Sequence, residues 1–222
     1  MMKRTKLCDR SLPVYSVGEE IANTATHILG GLLGIIALVL CVRRAAAWYG
    51  AAEVVGAAVY GVCLILLYSM SSVYHGLRPG TAKKVMQILD HCAIYFLIAG
   101  SYTIVCLGVI RRTSPVMGWS ILAMEWVLCS VATVLTAIDL KRYNLFSMIC
   151  YIGMGWAIVP MAAMLFDIMT PAGFWLLLGG GISYTVGAVL FCLKRKWMHS
   201  LFHVFVVAGS VLQFFAFYLF GI

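Results

Sequence analysis

The sequence predicts an all-α polytopic membrane protein, a bundle of seven transmembrane helices with its amino terminus in the cytoplasm and its carboxyl terminus outside. Three observations lead there. Of 222 residues, 63% are hydrophobic and only 11% charged, and the mean hydropathy is +0.99; a soluble domain of this length cannot hide so much apolar surface. Seven apolar runs of roughly 20 residues or more are each long enough to cross a hydrocarbon core. Finally, the charge is lopsided. With the amino terminus inside, Lys3, Arg4, Lys6, Arg10, Arg78, Lys83, Lys84, Lys141, Arg142, Lys194, Arg195 and Lys196 lie on the cytoplasmic side, and Arg43, Arg44, Arg111 and Arg112 fall in outer loops. That is the positive-inside pattern. The formal charge of +8 therefore orients the chain in a plasma membrane and does not mark a nucleic-acid partner.

Residues 1–18 are polar and basic and read as a cytoplasmic arm, with 19–222 as one transmembrane domain. The first helix runs from about Glu19 to Val42; its opening acids suit the helix dipole, and Gly30, Gly31 and Gly34 allow close helix contact. The second, about Ala52 to His75, stops at Gly76 with Pro79 beyond. The third and fourth span about Val85 to Ile110 and Val116 to Ile138. The fifth, about Leu145 to Phe166, should kink at Pro160, and its Gly153 and Gly155 read as packing positions. The sixth, about Ala172 to Leu193, holds Gly179-Gly180-Gly181; no Lys-Ser/Thr follows, so tight packing is expected there and not a phosphate loop. The seventh covers about Trp197 to Phe220.

The eight cysteines have no CxxC spacing and mostly fall in apolar runs, so free thiols are expected. A basic start followed by Pro13, Glu19 and Glu20 does not suit a cleaved signal, so the first run reads as a retained helix.

Polar residues then gather at one depth. Ser71 and His75 end helix 2, Asp90 and His91 come early in helix 3, and His199 and His203 open helix 7, all toward the cytoplasm. Ionisable groups within a span mark function by default, because burial in hydrocarbon is costly. His199 and His203, at i and i+4, share a helix face. Histidines beside an aspartate suggest a metal such as zinc, which takes imidazole nitrogen and, when three protein ligands hold it, leaves a place for water. Asp90 and His91 are about 100° apart on a helix, so at most one should face the centre. His27 continues a stripe with Asn23 and Glu19; it reads equally as a metal or proton-relay partner and as an interhelical hydrogen bond.

Taken together, Glu19-Glu20-Ile21-Ala22-Asn23 leading to Thr26-His27, Ser71-Ser72-Val73-Tyr74-His75, Leu89-Asp90-His91-Cys92-Ala93-Ile94-Tyr95, Ala99 to Thr103, Tyr151 to Trp156, His199 to His203 and Ala208-Gly209-Ser210 resemble the haemolysin III family. These are bacterial relatives of the progestin and adiponectin receptors, in a wider group that includes alkaline ceramidases. The likeness spans nearly the whole chain. It implies seven helices with an inside amino terminus, zinc on His75, His199 and His203, Asp90 holding the zinc-bound water and Ser71 hydrogen-bonding nearby. His27, Asn23 and His91 read, from their places in the sequence, as candidates for an outer layer around that site. Two positions depart: Ile104 stands where many members have proline, and Gln213 where many have histidine.

Three functions follow as expectations. One is a zinc-dependent hydrolase of a lipid amide or ester, with Asp90 as general base and Ser71 stabilising the oxyanion. Another is a non-enzymatic membrane sensor or homeostasis factor with structural zinc. The last is a lytic protein, for which the chain offers no charge-lined amphipathic helix.

Overall fold

The computed structural model describes residues 5–221, so Lys3 and Arg4 of the expected basic arm lie outside the described residues. Its elements are α-helical, with no strand among the described residues. They are α1 (Val17–Trp48), α2 (Ala51–Gly76), α3 (Thr81–Thr113), α4 (Pro115–Ile138), α5 (Asn144–Trp156), α6 (Ala162–Cys192) and α7 (Met198–Gly221). Six helical stretches are long and apolar enough to cross a membrane, with α5 and α6 counted together as Asn144–Cys192.

That stretch is where the sequence expectation and the structure differ most. At 49 residues it would be roughly 73 Å long if straight, more than twice a hydrocarbon core. It is not straight. The expected disturbance at Pro160 is present: α5 stops at Trp156 and a single 3-10 turn, Val159–Met161, leads into α6. A second break falls at Thr170, with φ 67 and ψ 156, because Pro171 excludes the α conformation from the residue before it.

Helix α1 also differs, running six residues past Val42 to Trp48. Ala45, Ala46 and Ala47 are strong helix formers, and the Tyr49 N–H closes the last turn on the Ala45 carbonyl at 2.9 Å. Arg43 and Arg44 therefore belong to the helix end and not to a loop. Helix α3 passes Ile104 without a proline kink but widens into a π turn at Cys106–Ile110.

α3 is the central helix. Its apolar window is 83% buried, against 17–50% in the other candidate spans. The others turn Leu32, Ile36, Val127, Val134, Trp175 and Val204 outward, an apolar surface suited to lipid and not to water. One glycine matters for the site. A Cβ at Gly30 would stand 2.5 Å from the Tyr68 ring, so only glycine lets that ring lie against α1. Tyr68 then meets His27 edge-on at 5.0 Å and donates to Ser210 Oγ at 2.6 Å. Gly153 and Gly155 do not pack as expected: a Cβ at either would meet nothing within 4 Å. Gly155 instead borders a cavity. Of the triplet, Gly180 is the tight member, against Gln213 Cγ.

Candidate metal centre

The start of α1 sets the start of α7. Ser16 caps α1, and Glu19 answers in a capping box. Glu19 Oε2 accepts from the Ser16 N–H at 2.9 Å and from its hydroxyl at 2.6 Å. Its other oxygen, Oε1, accepts the Trp197 N–H at 2.7 Å. Trp197 has a left-handed backbone, φ 66, a conformation that costs free energy and persists only where neighbours hold it. Held so, it launches α7 at Met198 and turns His199 and His203 inward together.

These two meet His75 from the last turn of α2, and the three form a group that can hold a metal ion. His75 Nε2 and His203 Nε2 each stand 3.1 Å from His199 Nε2. Imidazole nitrogens bound at 2.0–2.1 Å around a tetrahedral ion are about 3.3 Å apart, so the spacing fits with little movement. The outer nitrogens strengthen the case. His203 Nδ1 faces the Asn23 carbonyl at 3.3 Å, which can only accept, so the proton sits on Nδ1 and Nε2 presents a lone pair. His75 Nδ1 likewise donates to Glu20 Oε2 at 2.7 Å, leaving its Nε2 a lone pair. His199 Nε2 thus sits between two acceptors and, even if protonated, can satisfy only one. A cation satisfies all three. The residues present therefore fit a metal.

Around this group the other sequence candidates divide. Asp90, Ser71, His27 and His91 border the same cavity as His199 and His203. The Ser71 hydroxyl is buried with no hydrogen-bond partner. His91 stays out of the three-histidine group; its Nδ1 donates to the Gln87 carbonyl at 2.8 Å and lies 3.7 Å from Asp90 Oδ2. Both Asp90 and His91 reach the cavity, although a 100° separation argued for one. His27 makes no interhelical hydrogen bond: both ring nitrogens are buried without partners, and the ring stacks on His203 at 3.7 Å. Asn23, fully buried, joins three helices. Its carbonyl serves His203, its side-chain oxygen accepts from Ser200 Oγ at 2.7 Å, and its amide nitrogen is 3.4 Å from His75 Nδ1.

Sequence reasoning missed two residues. Glu20, read only as a helix-start acid, is the carboxylate that orients His75, and it is itself held by Lys83 Nζ at 2.6 Å. Its position one turn before Asn23 on the stripe toward His27 was the available signal. Tyr15, in the arm, stacks on His199 with ring centroids 4.9 Å apart and covers the group from the end of the bundle. Burial, then the Glu20, Asp90 and Glu19 carboxylates, push its phenol well above the ordinary tyrosine range, so it remains neutral at physiological pH. Tyr15 carried no signal in spacing or composition.

The cavity beneath has a volume of about 140 Å³, with walls of Ile94, Leu97, Ile98, Ile152, Phe202 and Val206 and polar groups only at a few places.

Fold and site together define a helical membrane protein with a buried three-histidine centre opening on an apolar cavity. Comparison with known proteins assigns the family: the Haemolysin-III related profile matches residues 15–214, from Tyr15 through every site residue above, and the chain belongs to that family. It is 40% identical to Hemolysin-3 of Bacillus cereus, over 90% of each chain. Identity to the Hemolysin-3 homolog of Bacillus subtilis (strain 168) is 37%, over 91% of this chain and 94% of the relative. The human Monocyte to macrophage differentiation factor is 25% identical, over 89% of this chain and 82% of its own length. No solved structure matches the chain significantly.

Proposed function

We propose that this protein is a zinc-dependent hydrolase of a lipid amide or ester, working in the cytoplasmic leaflet of the plasma membrane in the service of lipid homeostasis. The observation that carries the reading is the group of three Nε2 atoms, two of whose histidines line a cavity together with an unpartnered serine hydroxyl and a carboxylate. His75, His199 and His203 would hold the ion. Zinc bound there supplies Lewis acidity and hydroxide at neutral pH.

The chain's own residues divide the remaining work. Asp90 accepts the proton of the attacking water. The Ser71 hydroxyl donates to the oxygen that gains charge on the substrate carbonyl. Glu20 and the Asn23 carbonyl hold two imidazoles in the tautomer that offers Nε2 inward. Apolar walls seat the acyl chain and exclude bulk water.

Seven passes suit this reading, with the break at Thr170 and Pro171 serving as the turn between the fifth and sixth. The site then lies at the cytoplasmic end, where Lys83, Lys84 and the arm are found. Residues 1–18 act as the arm and 19–222 as one domain.

Hydrolysis of N-acyl lipids by purified, metal-loaded protein tests the proposal. Asp90→Asn should keep the metal and lose turnover by a factor on the order of 10²–10⁴; metal-loaded protein that hydrolyses nothing in a broad lipid screen contradicts it. A structural-zinc sensor is the second reading, favoured by the way Asn23 bonds link α1 to α7. It requires the bundle to loosen on chelation and Asp90→Asn to leave the cellular effect intact.

A further inference from the structure

The cavity under the histidines does not end where its walls become fully apolar. A second chamber of about 70 Å³ continues it, and the two share Ser101, Tyr102, Gly155, Trp156, Gly181 and Gln213. Beyond this waist the lining is Val105, Leu165, Phe174, Leu177 and Phe217.

Most polar atoms at the waist are already engaged. Ser101 Oγ donates to the Leu97 carbonyl at 2.9 Å, Tyr102 OH to the Gly155 carbonyl at 3.3 Å and Trp156 Nε1 to Thr185 Oγ1 at 3.0 Å. Gln213 is the exception: its side-chain oxygen is buried with no hydrogen-bond partner. Buried amide oxygens without partners are rare in folded proteins, because desolvation is then uncompensated. The side chain is also held in place, since a Cβ at Gly180 would lie 2.6 Å from Gln213 Cγ. Glycine there makes the room that keeps the amide at the waist. Gln213 follows His203 by ten residues on the same helix, about 15 Å farther along the axis.

The geometry points to a binding position for a hydroxyl on the distal half of a long acyl chain, read by Gln213, so that the preferred ligand is a hydroxylated acyl lipid. The inference rests on the acyl-chain reading of the cavity given above, but not on hydrolysis. A hydroxyl both donates and accepts, so it satisfies the amide whichever way the amide is turned. An unsubstituted chain leaves it unpaired, and a site built to hydrogen-bond a ligand group discriminates against the analogue that lacks it.

The test is displacement of a fluorescent octadecanoate from the purified full-length protein by octadecanoic acid and by 12-hydroxyoctadecanoic acid. Both are measured in wild type and in Gln213→Leu, so that differences in micelle partitioning cancel in the ratio. The hydroxylated acid should gain roughly five- to tenfold over the plain one in wild type, relative to Gln213→Leu. Equal ratios in the two proteins overturn the assignment, as does failure of both acids to displace the reporter. Should Gln213→Leu not fold, Gln213→Met carries the same prediction. Turnover is not read: a protein that hydrolyses nothing yet keeps the Gln213-dependent ratio loses the hydrolase and retains this site.

Discussion

The two ends of the bundle use similar parts to opposite effect. At one end Glu53 caps the start of α2, accepting the Gly50 N–H at 3.1 Å, and pairs with Arg111 Nη2 at 2.9 Å and Arg112 Nε at 3.2 Å. Arg112 also lies over the Tyr49 ring at 4.1 Å. Every charge in that cluster has a partner. At the other end Glu20 likewise starts a helix and takes a lysine, but its second bond holds His75 so that the ring's Nε2 lone pair joins the Nε2 atoms of His199 and His203. There the bonding is incomplete inward: both buried His27 nitrogens lack a partner. One end is a closed ion cluster that fastens helices. The other spends its charges to keep acceptors unpaired around a point.

Substitutions that exchange these roles should separate the two ends. Glu20→Gln removes the carboxylate that fixes the His75 tautomer. Metal affinity should fall about 10- to 100-fold, read by competition with a chelator, and the melting midpoint should fall as well, because the buried Lys83 ammonium keeps only carbonyl partners. An unchanged affinity would mean that the Glu20 carboxylate does not set the tautomer of the ring. Glu53→Gln should touch stability alone. It should destabilise the fold by about 1–2 kcal/mol, since both arginines are partly exposed and water recovers much of the loss, and leave metal content untouched. A change in metal content there would contradict the division between the two ends.

The smallest effect concerns the arm. Asp139 accepts the Thr5 N–H at 2.7 Å and the Arg142 N–H at 3.2 Å. The Thr5 bond, opposed by burial and aided by Arg142 and the charge of Arg10, holds its carboxyl below the usual range. A depressed carboxyl stabilises the docked arm above its unfolded value of about 3.9, and that stability is lost as pH falls through the folded value. Protection of the arm from protease should therefore hold at pH 5 and decline only below about pH 4. Asp139→Asn should weaken it at pH 5 and above, and the difference from wild type should vanish in acid.

What was legible beforehand follows from how each feature is encoded. Spacing along a helix exposed His199 with His203 and Ser71 with His75, because period alone puts such pairs on one face. Alternation of direction across the membrane then brought α2, α3 and α7 to one level. Glu20 was hidden because Glu19 beside it satisfies the same capping rule, and only packing decides which acid turns to His75. Tyr15 was hidden because an irregular arm has no period. The α5–α6 stretch was read as one run kinked at Pro160 and a second starting after Pro171, because hydropathy does not show that the chain stays helical from Ala162 to the break at Thr170. Gly155 was assigned to packing when it borders a cavity, a distinction that depends on neighbours far away in sequence.

The account stands or falls on whether the three imidazoles hold an ion. Metal analysis of purified wild type beside His199→Ala addresses that directly. The account predicts close to one zinc per chain in wild type, and little or none in a variant that still elutes as a folded protein. Metal-free wild type that refuses zinc after purification, or a His199→Ala protein that retains a full equivalent, contradicts it.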